Sequence, residues 1–198
     1  MFTALKIGFA SGLNILIMEI RNTDLPGVLI LEPKVFGDER GFFFESYNAG
    51  RFEELTGIRA NFVQDNHTRS GKNVLRGLHY QIRKPQGKLM RVIAGEVLDV
   101  AVDIRRSSST FGRWASVVLS GANRRQVWVP EGYAHGFVVL SDAAEFIYKV
   151  TDYWAPEHER CIRWDDPQLA INWSLQCEPV LSAKDAKGTT FSEAEVFP

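Results

Sequence analysis

Two cysteines, Cys161 and Cys177, are all that this 198-residue chain contains. With so few, and no metal-ligand spacing between them, the expectation is two reduced thiols in a cytoplasmic protein rather than a bridge. Charge of one sign is also missing: 23 Lys and Arg stand against 24 Asp and Glu, for a net charge of −1. Without a basic block there is no electrostatic footprint for nucleic acid or a membrane surface. A small anionic ligand stays open, because it needs only a few well-placed cations. No stretch approaches the ~20 consecutive apolar residues that span a bilayer. No glycine-rich dinucleotide fingerprint follows a strand, so a nicotinamide-dependent step is not expected. The opening MFTALKIGFASGLNILI is mildly apolar, but it lacks the strong charged region and small-residue cleavage site of a signal peptide. Residues 1–17 are read as an extension of no assigned function, ahead of one domain over 18–198.

What is present is mostly strand. VLILEP (28–33), NFVQDN (61–66), KLMRVIAGEVLDVAVDI (88–104), WASVVL (114–119), QVWVP (126–130), HGFVVL (135–140) and AEFIYKV (144–150) are rich in Val, Ile, Phe and Trp. Gly, Pro, Asp and Asn punctuate them. Leu98, Val100, Val102 and Ile104 share one parity while Asp99 and Asp103 fall on the other, a period of two that predicts one wet face. Helix signals are scarce; the best is NAGRFEELTG (48–57), with Phe52 and Leu55 three apart and Gly57 at the stop position. Many short antiparallel strands with a token helix predict an all-β sandwich, barrel or jelly roll.

Within VLRGLHYQ (74–81) a cation and an imidazole stand three residues apart. In a regular strand Arg76 and His79 would point to opposite faces. Glycine inside a strand often marks a bulge that shifts register by one, so Gly77 is expected to bring both side chains to one wall of a cavity. On local pattern alone, a hydrogen-bonded structural histidine and an exposed arginine remain the plainer alternative.

PEGYAH (130–135) matches the proline-x-glycine-x-x-histidine half of the cupin signature, and GLHYQ occupies the place of the other half. Metal-binding cupins usually carry a His-x-His pair and a nearby glutamate there. Here the second position is Gln81, and no glutamate follows before Glu96. His79 and His135 alone fall short of the three or four ligands a stable transition-metal site wants. No metal is expected.

GDERGFFFES (37–46), FVQDNHTRS (62–70), VLRGLHYQ, QGKLMRV (86–92), DVAVDIR (99–105), VPEGYAHGF (129–137), EFIYKVTDYWAP (145–156) and LSAKD (181–185) follow one another in order. Together they resemble the dTDP-4-dehydrorhamnose 3,5-epimerases, from about Met18 to Lys187. The resemblance implies a jelly-roll (double-stranded β-helix, cupin) fold with one or two short helices, no cofactor, and a homodimer sharing substrate contacts. It also implies an isomerase acting on dTDP-4-dehydro-6-deoxy-D-glucose at C3 and C5, in deoxysugar synthesis.

Such a reaction needs a base, a stabiliser for the oxyanion that develops at C4, and an acid across the ring. By position, His79 matches the family's base; imidazole ordinarily titrates near ~6.5 and accepts a proton at neutral pH. Asp185 matches its carboxylate partner, although from sequence alone it would pass for an exposed loop acid. Lys88 matches the cation beside the C4 oxygen, and Tyr148 the proton donor on the opposite face. Arg40, Glu45, Gln64, Asp65, Asn66, Arg76, His135, Glu159 and Lys184 match positions that contact substrate, with arginine suited to a diphosphate. Tyr153 and Trp154 offer ring faces for thymine; many relatives have tyrosine at both. His67 and His158 are left as surface residues. In the family the FFFE strand reaches the neighbouring subunit's site, so Arg40 and Glu45 are expected to serve the partner. If Phe42 and Phe44 point inward, Phe43 needs a second apolar surface, which a dimer interface would supply.

Overall fold

The computed structural model describes residues 18–198, so the reading of residues 1–17 as an extension lies outside the described residues. Thirteen strands are described. A six-stranded sheet contains β1 (Met18–Asn22), β2 (Leu29–Pro33), β5 (Gln64–Gly71), β7 (Lys88–Ala94), β10 (Gln126–Val129) and β12 (Ala143–Val150). A five-stranded sheet contains β6 (Leu75–Gln81), β8 (Glu96–Asp103), β9 (Trp114–Ser120), β11 (Tyr133–Val139) and β13 (Glu159–Cys161). The spatial orders are β1-β2-β10-β7-β12-β5 and β13-β6-β11-β8-β9, and every pairing is antiparallel. A small hairpin of β3 (Phe36–Asp38) and β4 (Gly41–Phe43) stands apart from both. This is the expected jelly roll: mostly β, with the strands from β5 onward alternating between two facing sheets except where β8 and β9 are neighbours in one.

The helix forms where its end signals put it. Helix α1 runs Ala49–Thr56; the Asn48 side chain accepts from the Arg51 N–H, and Gly57 closes it at φ 73°. Asparagine satisfies one of the orphan amides of the first turn, and glycine takes the left-handed conformation without a Cβ clash. Phe52 is buried against Leu31, Leu89 and Trp128, which clamps the helix to the outer side of the six-stranded sheet.

Between the sheets lies a core that includes Val92, Val97, Ala101, Leu119, Val127, Phe137 and Phe146. A second core covers the far side of the five-stranded sheet. There Leu98, Val100, Val102 and Ile104 pack with Leu169, Trp173 and Phe191 from the C-terminal segment. That segment overturns the expected wet face of β8. Asp99 and Asp103 are both buried, because their parity faces the inter-sheet space while the other parity is capped from outside. Asp103 is compensated by Arg105, Ser108 and Thr110, as a buried carboxylate must be.

Two other expectations shift. The strand predicted over 61–66 is β5, which begins only at Gln64 and continues through the polar residues to Gly71 because it pairs along its whole length with β12. Phe42 does not point inward: Phe42 and Phe43 are 60% and 70% exposed, with Phe36 at 43%. Arg124 lies over the Phe42 ring and Arg91 over that of Phe44. The hairpin is too short to turn one of its faces to a core. Among the described residues, no helix is long and apolar enough to cross a membrane.

Candidate active site

Gly77 explains the octapeptide. Between β6 and β11 the register places His135 opposite His79 but Phe137 opposite Arg76, so β6 carries one extra residue at this point. The bulge turns Arg76 and His79 toward the same cavity. Gly77 has φ 116°, and a Cβ there would sit 2.6 Å from both the Gly136 Cα and the His135 carbonyl oxygen. Only glycine suits both the backbone angle and the close approach.

The cavity, about 380 Å³, opens between the two sheets. His79 (β6) and His135 (β11) come from the five-stranded sheet; Lys88 (β7), Tyr148 (β12), Gln64 and Asn66 (β5) come from the other. The imidazole of His79 and the phenol of Tyr148 therefore stand on opposite walls of one space. Met90, Phe137 and Phe146 form its apolar floor, while Trp154 and Glu159 stand at its margin.

Asp185 holds the base. It is buried on a 3₁₀ turn, and its Oδ1 lies 2.6 Å from His79 Nε2, although the ring N–H is not well aligned with that oxygen. Ser182 donates its hydroxyl to Oδ2 at 2.6 Å, and the Gly77 N–H donates to Oδ1 at 3.2 Å. Burial opposes ionisation, but the hydrogen bonds from His79 and Ser182, the imidazole charge and the Gly77 N–H outweigh it and bring the carboxyl down to about 2. A fixed carboxylate on Nε2 orients the ring and leaves Nδ1 as the nitrogen able to take a proton. Asp185, which by local pattern alone would pass for an exposed loop acid, is locked against the strand bulge.

Burial also governs the other groups. It lowers the Lys88 ammonium to about 8, against the upward pull of Glu159 and Asp99 and with Lys184 adding to the fall. It raises the Tyr148 phenol, which Arg76 counteracts and Glu159 reinforces. The same desolvation pushes the His135 imidazole below its ordinary range despite Asp99, whose Oδ2 lies 2.8 Å from Nε2; Lys88 and His79 push it the same way. His135 is therefore an uncharged hydrogen-bonding group at neutral pH, whereas Lys88 keeps a charge there.

The remaining sequence candidates divide by place. Arg76 reaches the cavity with its Nε donating to the Ser70 hydroxyl at 3.1 Å. Glu159 pairs with Lys184 at 2.5 Å and accepts from Trp154 Nε1 at 3.2 Å, so Lys184 stands behind the margin rather than on the lining. Trp154 lines the cavity; Tyr153, 62% exposed, does not. Asp65 pairs with Lys149 on the outer cleft of the sheet. Arg40 pairs with Asp38 on the hairpin, and Glu45 pairs with Arg51 at 3.1 Å beside α1, both away from this cavity.

Several residues escaped the sequence reading. Gln81, weighed only as a missing metal ligand, is buried; its amide donates to the carbonyls of Lys84 and Tyr153 and accepts from the Ala155 N–H at 2.8 Å, pinning the segment that carries Trp154. Asp99 falls on the face that alternation assigns to solvent, and its isolation among valines is the available signal for burial. Ser182, three residues before Asp185, needed the turn to gain meaning. Cys161, opposite His79 in the β13–β6 ladder, offered no local signal.

Comparison with known proteins converges on one family. Residues 22–193 match the family model described as dTDP-4-dehydrorhamnose 3,5-epimerase. The dTDP-4-dehydrorhamnose 3,5-epimerase of Pseudomonas aeruginosa is 61% identical over 181 residues, which cover 91% of this chain and 100% of that protein. That of Salmonella typhimurium is 58% identical, over 89% of this chain and 97% of its own. Among solved structures, the dTDP-6-deoxy-D-glucose-3,5-epimerase of Legionella pneumophila, in complex with dTDP-4-keto-L-rhamnose, superposes with a TM-score of 0.88. It is 57% identical, over 90% of this chain and 95% of that one.

Proposed function

Because this chain belongs to the dTDP-4-dehydrorhamnose 3,5-epimerase family and acts as such an epimerase in dTDP-rhamnose biosynthesis, we propose how its own residues divide the work. The substrate is dTDP-4-dehydro-6-deoxy-D-glucose. Its hydrogens at C3 and C5 are both α to the C4 ketone. His79 Nδ1 takes one of them, and Asp185 stabilises the imidazolium. The electron pair moves onto the C4 oxygen, beside the Lys88 ammonium. Tyr148 then delivers its phenolic proton to the same carbon from the other wall, inverting the centre. Solvent returns a proton to the phenolate and removes one from His79 before the second centre reacts. The observation that carries this reading is the placing of His79 and Tyr148 on facing sheets of one cavity, with Lys88 in the same lining.

Arg76 takes the diphosphate, for which a guanidinium offers paired donors. Trp154 rather than Tyr153 stacks on thymine, since it alone of the two faces the cavity. The exposed Phe36, Phe42 and Phe43 support a homodimer in which a second copy covers the hairpin and receives Arg40 and Glu45 at its own site. Sedimentation at micromolar concentration reads this: a dimer is expected, and a monomer for Phe43→Asp. Free Cys161 and Cys177 suit a reducing cytoplasm.

Incubation with substrate in D2O tests the chemistry. Deuterium should enter at C3 and C5; incorporation at neither would remove the catalytic assignment. The Lys88 proton supplies a pH test. Only the charged ammonium stabilises the oxyanion, so kcat/KM should fall as pH rises through about 8, where Lys88 loses its proton. Lys88→Arg keeps its charge and should move that fall to higher pH. A limb unmoved by this change would assign it to another group.

A further inference from the structure

His79, Cys161 and Asp185 bring one nitrogen, one sulfur and one oxygen donor within 4.8 Å of one another. We infer that these three residues form a Zn2+ site that silences the enzyme by capturing its base. The cause is the strand register. Cys161 lies directly opposite His79 in the β13–β6 pairing, and opposite residues of an antiparallel pair project to one face. The turn at Asp185 then closes the third corner from below. Counting histidines could not reveal this set, because two of its three members are not histidines.

The donor set suits zinc. Zn2+ is borderline-soft and takes Cys sulfur, His nitrogen and Asp oxygen at roughly 2.0–2.3 Å, often three protein ligands plus one open position. A second observation points to the same place: His79 Nε2 is buried and has no well-aligned hydrogen-bond partner. To bind, Nε2 and Oδ1 must part from 2.6 Å to the roughly 3.3 Å edge of a zinc tetrahedron. His79 borders the cavity, which gives its ring room for that rotation.

Binding rearranges protons in a defined way. The Cys161 thiol gives its proton to solvent and ligates as thiolate, and Asp185 ligates as the carboxylate it already is. Zinc takes the lone pair at His79 Nε2, and the proton displaced from that nitrogen passes through solvent to Nδ1, so the imidazole stays neutral with its single proton on Nδ1. That nitrogen then has no lone pair for the substrate hydrogen. Loss of activity thus rests on the reading of His79 as base, whereas occupancy of the site does not.

Two readouts separate these. Co2+ titrated into the purified full chain should produce the near-ultraviolet thiolate-to-cobalt band, absent in Cys161→Ser. Micromolar Zn2+ should abolish epimerisation, reversibly on chelation. Cys161→Ser should keep basal turnover and need roughly tenfold more zinc or beyond for half-inhibition, since even indirect partners of a metal ligand are worth that much. No cobalt band, or a zinc sensitivity in Cys161→Ser equal to that of the unaltered enzyme, would overturn the site. A band with undiminished turnover would leave the site standing and remove His79 as the base.

Discussion

His79→Asn should abolish epimerisation while dTDP binding survives. Asparagine retains a hydrogen-bonding group of similar reach but no basic nitrogen, so neither C3 nor C5 can lose its hydrogen. Removing a positioned general base typically costs a factor of ~10²–10⁴. Both inversions depend on the same base here, so the loss should fall near the upper end and apply equally to the two centres. The check is paired: product formation by NMR, and calorimetric affinity for dTDP. The residues proposed for the nucleotide, Arg76, Trp154 and Gln64, make no hydrogen bond to the His79–Asp185 pair. Affinity should therefore stay near that of the unaltered enzyme. Parallel loss of binding and turnover would mean that His79 holds the sheet rather than the proton. Deuterium exchange sharpens the test, because a missing base leaves no exchange at either carbon.

Tyr148→Phe should separate exchange from inversion. The phenyl ring fills the same space between Phe146 and the cavity, so packing changes little. What disappears is the proton on the wall opposite His79. The enolate still forms, because base and Lys88 remain, but it can be quenched only from the face it left. Solvent deuterium should then enter the substrate with retention, while the inverted product falls by a factor of ~10² or more. Burial raises the phenol's pKa, which keeps the donor protonated across the neutral range in the unaltered enzyme. No pH in that range should mimic the substitution. Inversion at an undiminished rate would show that water, not the phenol, delivers the proton.

These two experiments depend on features that differed in legibility. Tyr148 lies in a strand, AEFIYKV, whose pattern alone describes a packing tyrosine. Only the family resemblance promoted it, and only the pairing of β12 beside β7 turned it toward the cavity. Arg76, Gly77 and His79 were the more legible group, since a glycine between two polar residues in a strand predicts a bulge on physical grounds. Asp99 misled, because alternation cannot tell a solvent face from an inter-sheet face when another chain segment covers the opposite side. Phe42 misled for the converse reason: a three-residue strand in a detached hairpin has no core to face. Arg40 and Glu45 lie off the cavity, on and beside the detached hairpin, where the order of motifs along the chain gives no sign of distance from it.

By itself, the sequence determined the strand-rich class, a helix within 48–57 with its glycine stop, the bulge at Gly77 and, through its ordered motifs, the family. These follow from local periodicity, backbone permissiveness and contiguous pattern, all of which a linear chain carries. Tertiary structure decided which groups share the cavity, that Asp185 is a buried low-pKa carboxylate rather than a loop acid, that Lys88 titrates near 8, and that Cys161 sits beside the base. Desolvation and charge coupling cause those properties, and both arise only when residues about a hundred positions apart are packed against one another.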